Sequence, residues 1–149
     1  MTINRAFIGR SYPPSAPYAV SREKIREFAE AIGDPNPVYR DAAIAHALGH
    51  PDVVAPPTFV IVVTMKVAWQ AVFDPDLGVD YTRAVHGQQQ FSHTRPIRAG
   101  DHLVGTLTIA DITSAGRNEV LRTRVDVATT AGEPVCSAVS TLVVRGGDR

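Results

Sequence analysis

A chain of 149 residues with 44% hydrophobic side chains has the length of one domain and enough apolar material for a core without staples. Fifteen basic and fifteen acidic residues cancel, which argues against nucleic acid or an anionic membrane as partner, since both select basic patches. The one cysteine, Cys136, rules out an intrachain disulfide and fits a reducing compartment.

Residues 1–5 carry no apolar h-region, so no signal peptide is expected. The most apolar stretch, Phe59 to Phe73, is shorter than the ~20 residues a membrane span needs, and Lys66 and Gln70 interrupt it. These features predict a cytoplasmic protein of one domain over residues 1–149, with an extended lead-in over 1–20. Pro13, Pro14 and Pro17 exclude regular helix from that lead-in. Ser21 then offers an N-cap, and Ile25, Phe28, Ala29 and Ile32 follow at helical spacing. Gly33 closes this helix as its C′ residue. A short second helix is expected from Asp41 to Leu48, stopped by Gly49.

Pro57 suits the first position of a third helix, where its missing N–H would be unpaired anyway. The run Thr58 to Thr64 is β-branched and strand-like by propensity. It continues to Phe73 without a turn signal. That is too long for an average strand, whereas a buried helix can be apolar all round. A helix with Trp69 in the core is therefore expected.

The remainder reads as strands: 83–94, 102–111, 121–127 and 135–144, with turns at Gly100-Asp101, 114–118 and 131–134. Leu121, Thr123, Val125 and Val127 alternate with Arg122, Arg124 and Asp126, giving one dry and one wet face. Val135 to Val144 is apolar on both faces and predicts an internal strand, with residues 145–149 as a frayed tail. Helices followed by an antiparallel meander define an α+β class. A long apolar helix and a curved sheet then satisfy each other.

The chemistry-bearing segment is the loop Gly33-Asp34-Pro35-Asn36-Pro37-Val38-Tyr39. By itself it is a set of good turn formers. Three further stretches accompany it in order: Ala55-Pro56-Pro57-Thr58-Phe59, then Val85-His86-Gly87-Gln88-Gln89-Gln90-Phe91 with Arg95-Pro96-Ile97 and Gly100-Asp101-His102-Leu103, then Gly132-Glu133-Pro134-Val135. Over nearly the whole chain this series resembles the MaoC-like and FAS1-like dehydratases and R-specific enoyl hydratases, whose loop reads G-D-x-N-P-x-H. The resemblance implies a dimeric hot-dog fold, with a long helix wrapped by an antiparallel sheet. It also implies addition or removal of water across C2–C3 of an acyl-CoA or acyl-carrier-protein thioester. That reaction needs a carboxylate base, an acid of matched pKa, and donors for the developing enolate oxygen.

Carried over by position, Asp34 is the family's catalytic aspartate and Asn36 its loop asparagine. Tyr39 stands at the histidine position. A phenol, with an ordinary pKa near 10 against about 6.5 for imidazole, donates a proton poorly and does not cycle between acid and base at neutral pH. Pro57 stands near the glycine whose N–H meets the thioester carbonyl, and proline has none. The N–H groups of Thr58 and Phe59 remain at the positive end of the helix. His86 and Gly87 fall on the substrate-facing strand.

The departures resemble the HadA-like branch, in which a chain without the histidine pairs with one that has it. That implies a substrate-binding, non-catalytic subunit, as a homodimer in isolation or a heterodimer with an intact partner. Two other readings stay open. One is a self-sufficient hydratase using Asp34 with Tyr39 or His86. The other is an acyl-thioester-binding domain without chemistry. No cofactor is expected. His46 and His50 flank Gly49 but lack the Cys or carboxylate company of a metal site. Neither His93 nor His102 shows a partner. Cys136 reads as a packing thiol.

Overall fold

The computed structural model describes residues 2–147. Helix α1 spans Arg22–Ala31. Ser21 caps it, its side chain accepting from Lys24 N at 3.1 Å. Ile25 and Ala29 form its buried stripe, while Lys24–Glu27 and Arg26–Glu23 pair on the wet face. Gly33, at φ +71°, reverses the chain where a side chain would be strained. Helix α2 is shorter than expected, Ala42–Ala47, with Asp41 as its N-cap.

Pro57 opens a 3-10 turn, Pro57–Val60, that runs into helix α3, Ile61–Val72. The helix is confirmed over the strand propensity of its β-branched run. Tertiary burial of Val63, Thr64, Val67 and Ala71 decides the matter. The expectation that Trp69 is core is corrected. Met65, Trp69 and Phe73 form an i, i+4, i+8 stripe on the uncovered side, and Trp69 is 46% exposed.

Five antiparallel strands follow the order β1-β3-β4-β5-β2. They are β1 (Tyr18–Ala19), β2 (Ala84–His93), β3 (His102–Ala115), β4 (Asn118–Thr129) and β5 (Pro134–Val144). β5 is internal, between β4 and β2, as its two apolar faces predict. The turn expected at 114–118 is tighter than that, since Ala115 pairs with Asn118 in register. The lead-in is extended and lies along β3: Gly9, Tyr12 and Ser15 donate to the carbonyls of Ile109, Leu107 and Gly105. It thereby covers an edge that would otherwise present unpaired backbone. The tail is not frayed throughout. Arg145 N–H donates to Arg83 O at 3.0 Å and Gly146 N–H to the Asn118 side chain at 3.1 Å. Residues 148–149 lie outside the described residues.

Helix α3 lies against β3 and β4. Their meeting point is Gly105, where an added Cβ would fall 2.8 Å from Val67 Cγ2 and 3.2 Å from Val125 Cγ1. Around it Leu103, Leu107, Ile109, Leu121, Val125 and Val127 close the core. No described helix is long and apolar enough to cross a membrane.

The loop from β2 back to β3 is fixed by charge. Arg95 grips Asp101 with two bonds of 2.9 Å and reaches Glu133 at 2.6 Å. Burial raises the Asp101 pKa, but bonds from Arg95 and Arg98 N–H outweigh it and hold the carboxyl below its usual range.

Gly105→Ala is expected to lower stability by about 1–3 kcal/mol through overpacking against Val67, read from the urea midpoint at unchanged m-value. Asp101→Asn removes one of the two carboxylates on the largely buried Arg95 guanidinium, leaving Glu133, and is expected to cost about 1–3 kcal/mol. The depressed Asp101 pKa adds stability above the unfolded carboxyl value. That increment fades as pH falls below about 4, and the acid-unfolding curve of Asp101→Asn should lack it.

Candidate functional site

The Asp34 loop is braced by its own side chains. Asp34 Oδ1 accepts from Asn36 N–H at 3.1 Å. Asn36 Oδ1 accepts from Val38 N–H at 3.1 Å and caps the 3-10 turn Pro37–Tyr39. Arg40 donates to the carbonyls of Asn36 at 3.1 Å and Asp34 at 2.9 Å. Asn36 therefore holds backbone rather than reaching outward. Asp34 stays partly exposed.

Tyr39 is the buried member, 8% exposed. Its phenol lies beside the Asp34 carboxylate. Burial, then the charge of Asp34 and its pull on the phenol proton, raise the Tyr39 pKa above the usual tyrosine value. The group at the histidine position is thus a neutral phenol at pH 7, further from proton-transfer competence than a free tyrosine.

Tyr39 and Pro57 wall one cavity of about 480 Å³, with His50, His93, Leu48 and Ile97. His93 is the member that sequence reasoning missed. Its Nε2 lies 2.8 Å from Pro57 O. A carbonyl only accepts, so Nε2 is the donor in this contact. The signal was concealed by a bulge. In β2, His86 pairs with Leu142 and Gln88 with Thr141, so Gly87 is the extra residue. The bulge brings Gln89, Phe91 and His93 onto the face that His86 occupies.

The donors expected at the start of the third helix are only partly there. Phe59 N–H is spent on Pro56 O at 2.9 Å, and its ring is sealed edge-on against Phe28, with centroids 5.5 Å apart. The Thr58 N–H has no protein partner among the described residues, and Thr58 is exposed. Phe59 therefore packs the core and cannot touch a ligand.

His86 does not join Tyr39 and Pro57. It lines a second opening, an apolar groove of about 350 Å³ between α3 and the sheet, where Met65, Trp69 and Tyr81 also lie. Its Nε2 is 2.8 Å from Ser140 Oγ. Gly87 is the bulge, with a Cβ position 3.2 Å from Val143. Cys136 is buried, and burial pushes its thiol pKa up, the opposite of nucleophile activation. Among the described residues, no group of three or more His, Cys, Asp or Glu side chains could hold a metal ion.

The profile of the FAS1-like dehydratase domain region matches residues 6–138. The chain belongs to this family of MaoC-like dehydratases. A UPF0336 protein of Streptomyces avermitilis is 56% identical over 148 residues, 99% of each chain. A solved MaoC-like dehydratase superposes with a TM-score of 0.89 at 32% identity, over 97% of this chain and 44% of that one. The chain thus spans less than half of that protein's length. The HadBC (3R-hydroxyacyl-ACP dehydratase) complex of Mycobacterium tuberculosis matches with a TM-score of 0.82 at 29% identity, over 92% of this chain and 96% of that one. The curled antiparallel sheet around α3 is the hot-dog fold of these dehydratases.

Because Asp34 helps to raise the Tyr39 pKa, Asp34→Asn is expected to lower it. Alkaline difference titration of phenolate absorbance, referenced to Tyr39→Phe, should move that tyrosine's midpoint down.

Proposed function

We propose that this chain is the substrate-binding, non-catalytic subunit of a (3R)-hydroxyacyl-thioester dehydratase. In this reading it acts as one domain in the cytoplasm and pairs with a MaoC-like chain carrying the intact G-D-x-N-P-x-H loop. The observation that carries the reading is the buried Tyr39 beside Asp34. The loop keeps its brace, but the group opposite the carboxylate has a pKa moved away from neutrality. Loss of the Pro57 N–H weakens the second requirement, since one oxyanion donor is commonly worth about 10²–10³ in rate.

Two further features support a partner. β2 ends the sheet, with no neighbour on its outer side among the described residues. The HadBC likeness is to a protein that is itself a complex. The groove along α3 supplies the apolar length an acyl chain needs. The thioester of acyl-CoA or acyl-carrier protein would be presented to the partner's histidine and aspartate.

Co-expression with an intact-loop partner should give a heterodimer that hydrates enoyl thioesters. Changing the partner's loop Asp to Asn should abolish turnover, while Asp34→Asn in this chain leaves kcat near wild type. Hydration by this chain alone that is lost on Asp34→Asn would overturn the proposal in favour of a self-sufficient hydratase.

A further inference from the structure

The groove along α3 is not uniformly apolar, and its polar groups are arranged in a line. Thr123 on β4 pairs in register with Ser140 on β5, which pairs with Gln89 on β2. All three line the groove. On one side of this rung lies the pair Leu121 and Leu142, and on the other Val125 and Ala138, also lining the groove. His86 reinforces the rung from the leucine side through its 2.8 Å contact with Ser140 Oγ. Thr64 opens onto the same groove from α3.

Two of these groups have no protein partner among the described residues. Thr64 is 4% exposed and Thr123 6%. Neither hydroxyl makes a hydrogen bond to any described residue. Yet among the described residues no side-chain polar atom sealed from solvent lacks a partner. Both hydroxyls therefore face the groove itself. Gln89 commits Nε2 to Val139 O at 3.3 Å, which leaves its carbonyl oxygen as an acceptor. No Asp, Glu, Lys or Arg lines the groove.

An unbroken alkyl chain filling this space would strip water from the two hydroxyls and return nothing, a penalty charged against every such ligand. A chain with a neutral oxygen at the rung would satisfy them. We propose that the groove selects an acyl thioester whose chain carries a neutral oxygen function, a hydroxyl or ketone, part-way along its length. The inference rests on the acyl-binding reading above and names the substrate class for it. An amine at that depth is disfavoured, because no carboxylate lines the groove to pair with it.

Trp69 is the only tryptophan and lines the groove, so its fluorescence reports occupancy. The full-length chain is titrated with dodecanoyl-CoA and with its positional isomers hydroxylated from C5 to C10. At least one isomer should bind about tenfold tighter than the unsubstituted chain, a 1.4 kcal/mol preference. Thr123→Val and Thr64→Val, each close in shape to the parent, should remove that preference while tightening dodecanoyl-CoA. Far-ultraviolet circular dichroism and the thermal midpoint certify that these variants are folded. If every isomer binds no tighter than dodecanoyl-CoA, or the preference survives both substitutions, the oxygen-selective rung is overturned and acyl binding stands. If neither class of thioester binds, the acyl-binding reading falls with it.

Discussion

The Arg95–Asp101 pair is the constraint on which the candidate site depends. It joins the end of β2 to the start of β3, strands that lie apart in the sheet. The loop it closes is also the meeting place of three other segments. Ala55 N–H donates to Ile97 O, Ala99 N–H to Val53 O, and Gly100 N–H to Val20 O. The crossing that delivers Pro57 and the lead-in that delivers α1 are both pinned to this loop. The Glu133 contact adds the β4–β5 hairpin. A guanidinium with carboxylates on two sides suits such a junction, because its planar fork fixes direction as well as charge.

Against that rigid frame, two positions of the G-D-x-N-P-x-H pattern and its helix start are occupied differently, by Tyr39 and Pro57. The Asp34 loop retains its internal hydrogen bonds, and Arg40 clamps it from outside. What differs is the pKa of one side chain and the presence of one N–H. Neither difference weakens the fold: Tyr39 packs well, and proline is at home in the first turn of a helix. Architecture and proton transfer are separable here, since one rests on burial and backbone bonding and the other on two atoms.

Much of this was legible in residue order. The helix cap at Ser21, the alternation of Leu121 to Val127 and the two-sided apolarity of β5 each have a local cause, and each is found in the structure. The fate of Trp69 was not legible. A helix apolar all round does not announce which stripe a sheet will cover, and the answer lies in the close approach of Gly105 to Val67. The grouping of site residues on β2 departs from simple alternation for a definable reason. Simple alternation along β2 gives His86 and His93 opposite faces, and the single extra residue at Gly87 reverses that parity. Phe59 was assigned to the site by its neighbours, but its contact with Phe28 comes from a residue 31 positions earlier.

The outer side of β2 bears on how the proposed pair would have to be made. From Ala84 to His93 the strand holds no proline, lysine, arginine or carboxylate, the features by which edge strands ordinarily refuse each other. Its only blunting device is the bulge at Gly87. Three consecutive glutamines follow the bulge, and glutamine ladders favour self-stacking. Under the proposed pairing, a chain whose β2 is not yet covered is a neutral, strand-shaped template for further copies of itself. If that pairing holds, balanced synthesis of the two chains becomes a condition of solubility, and a mismatch in dosage would be felt first as aggregation.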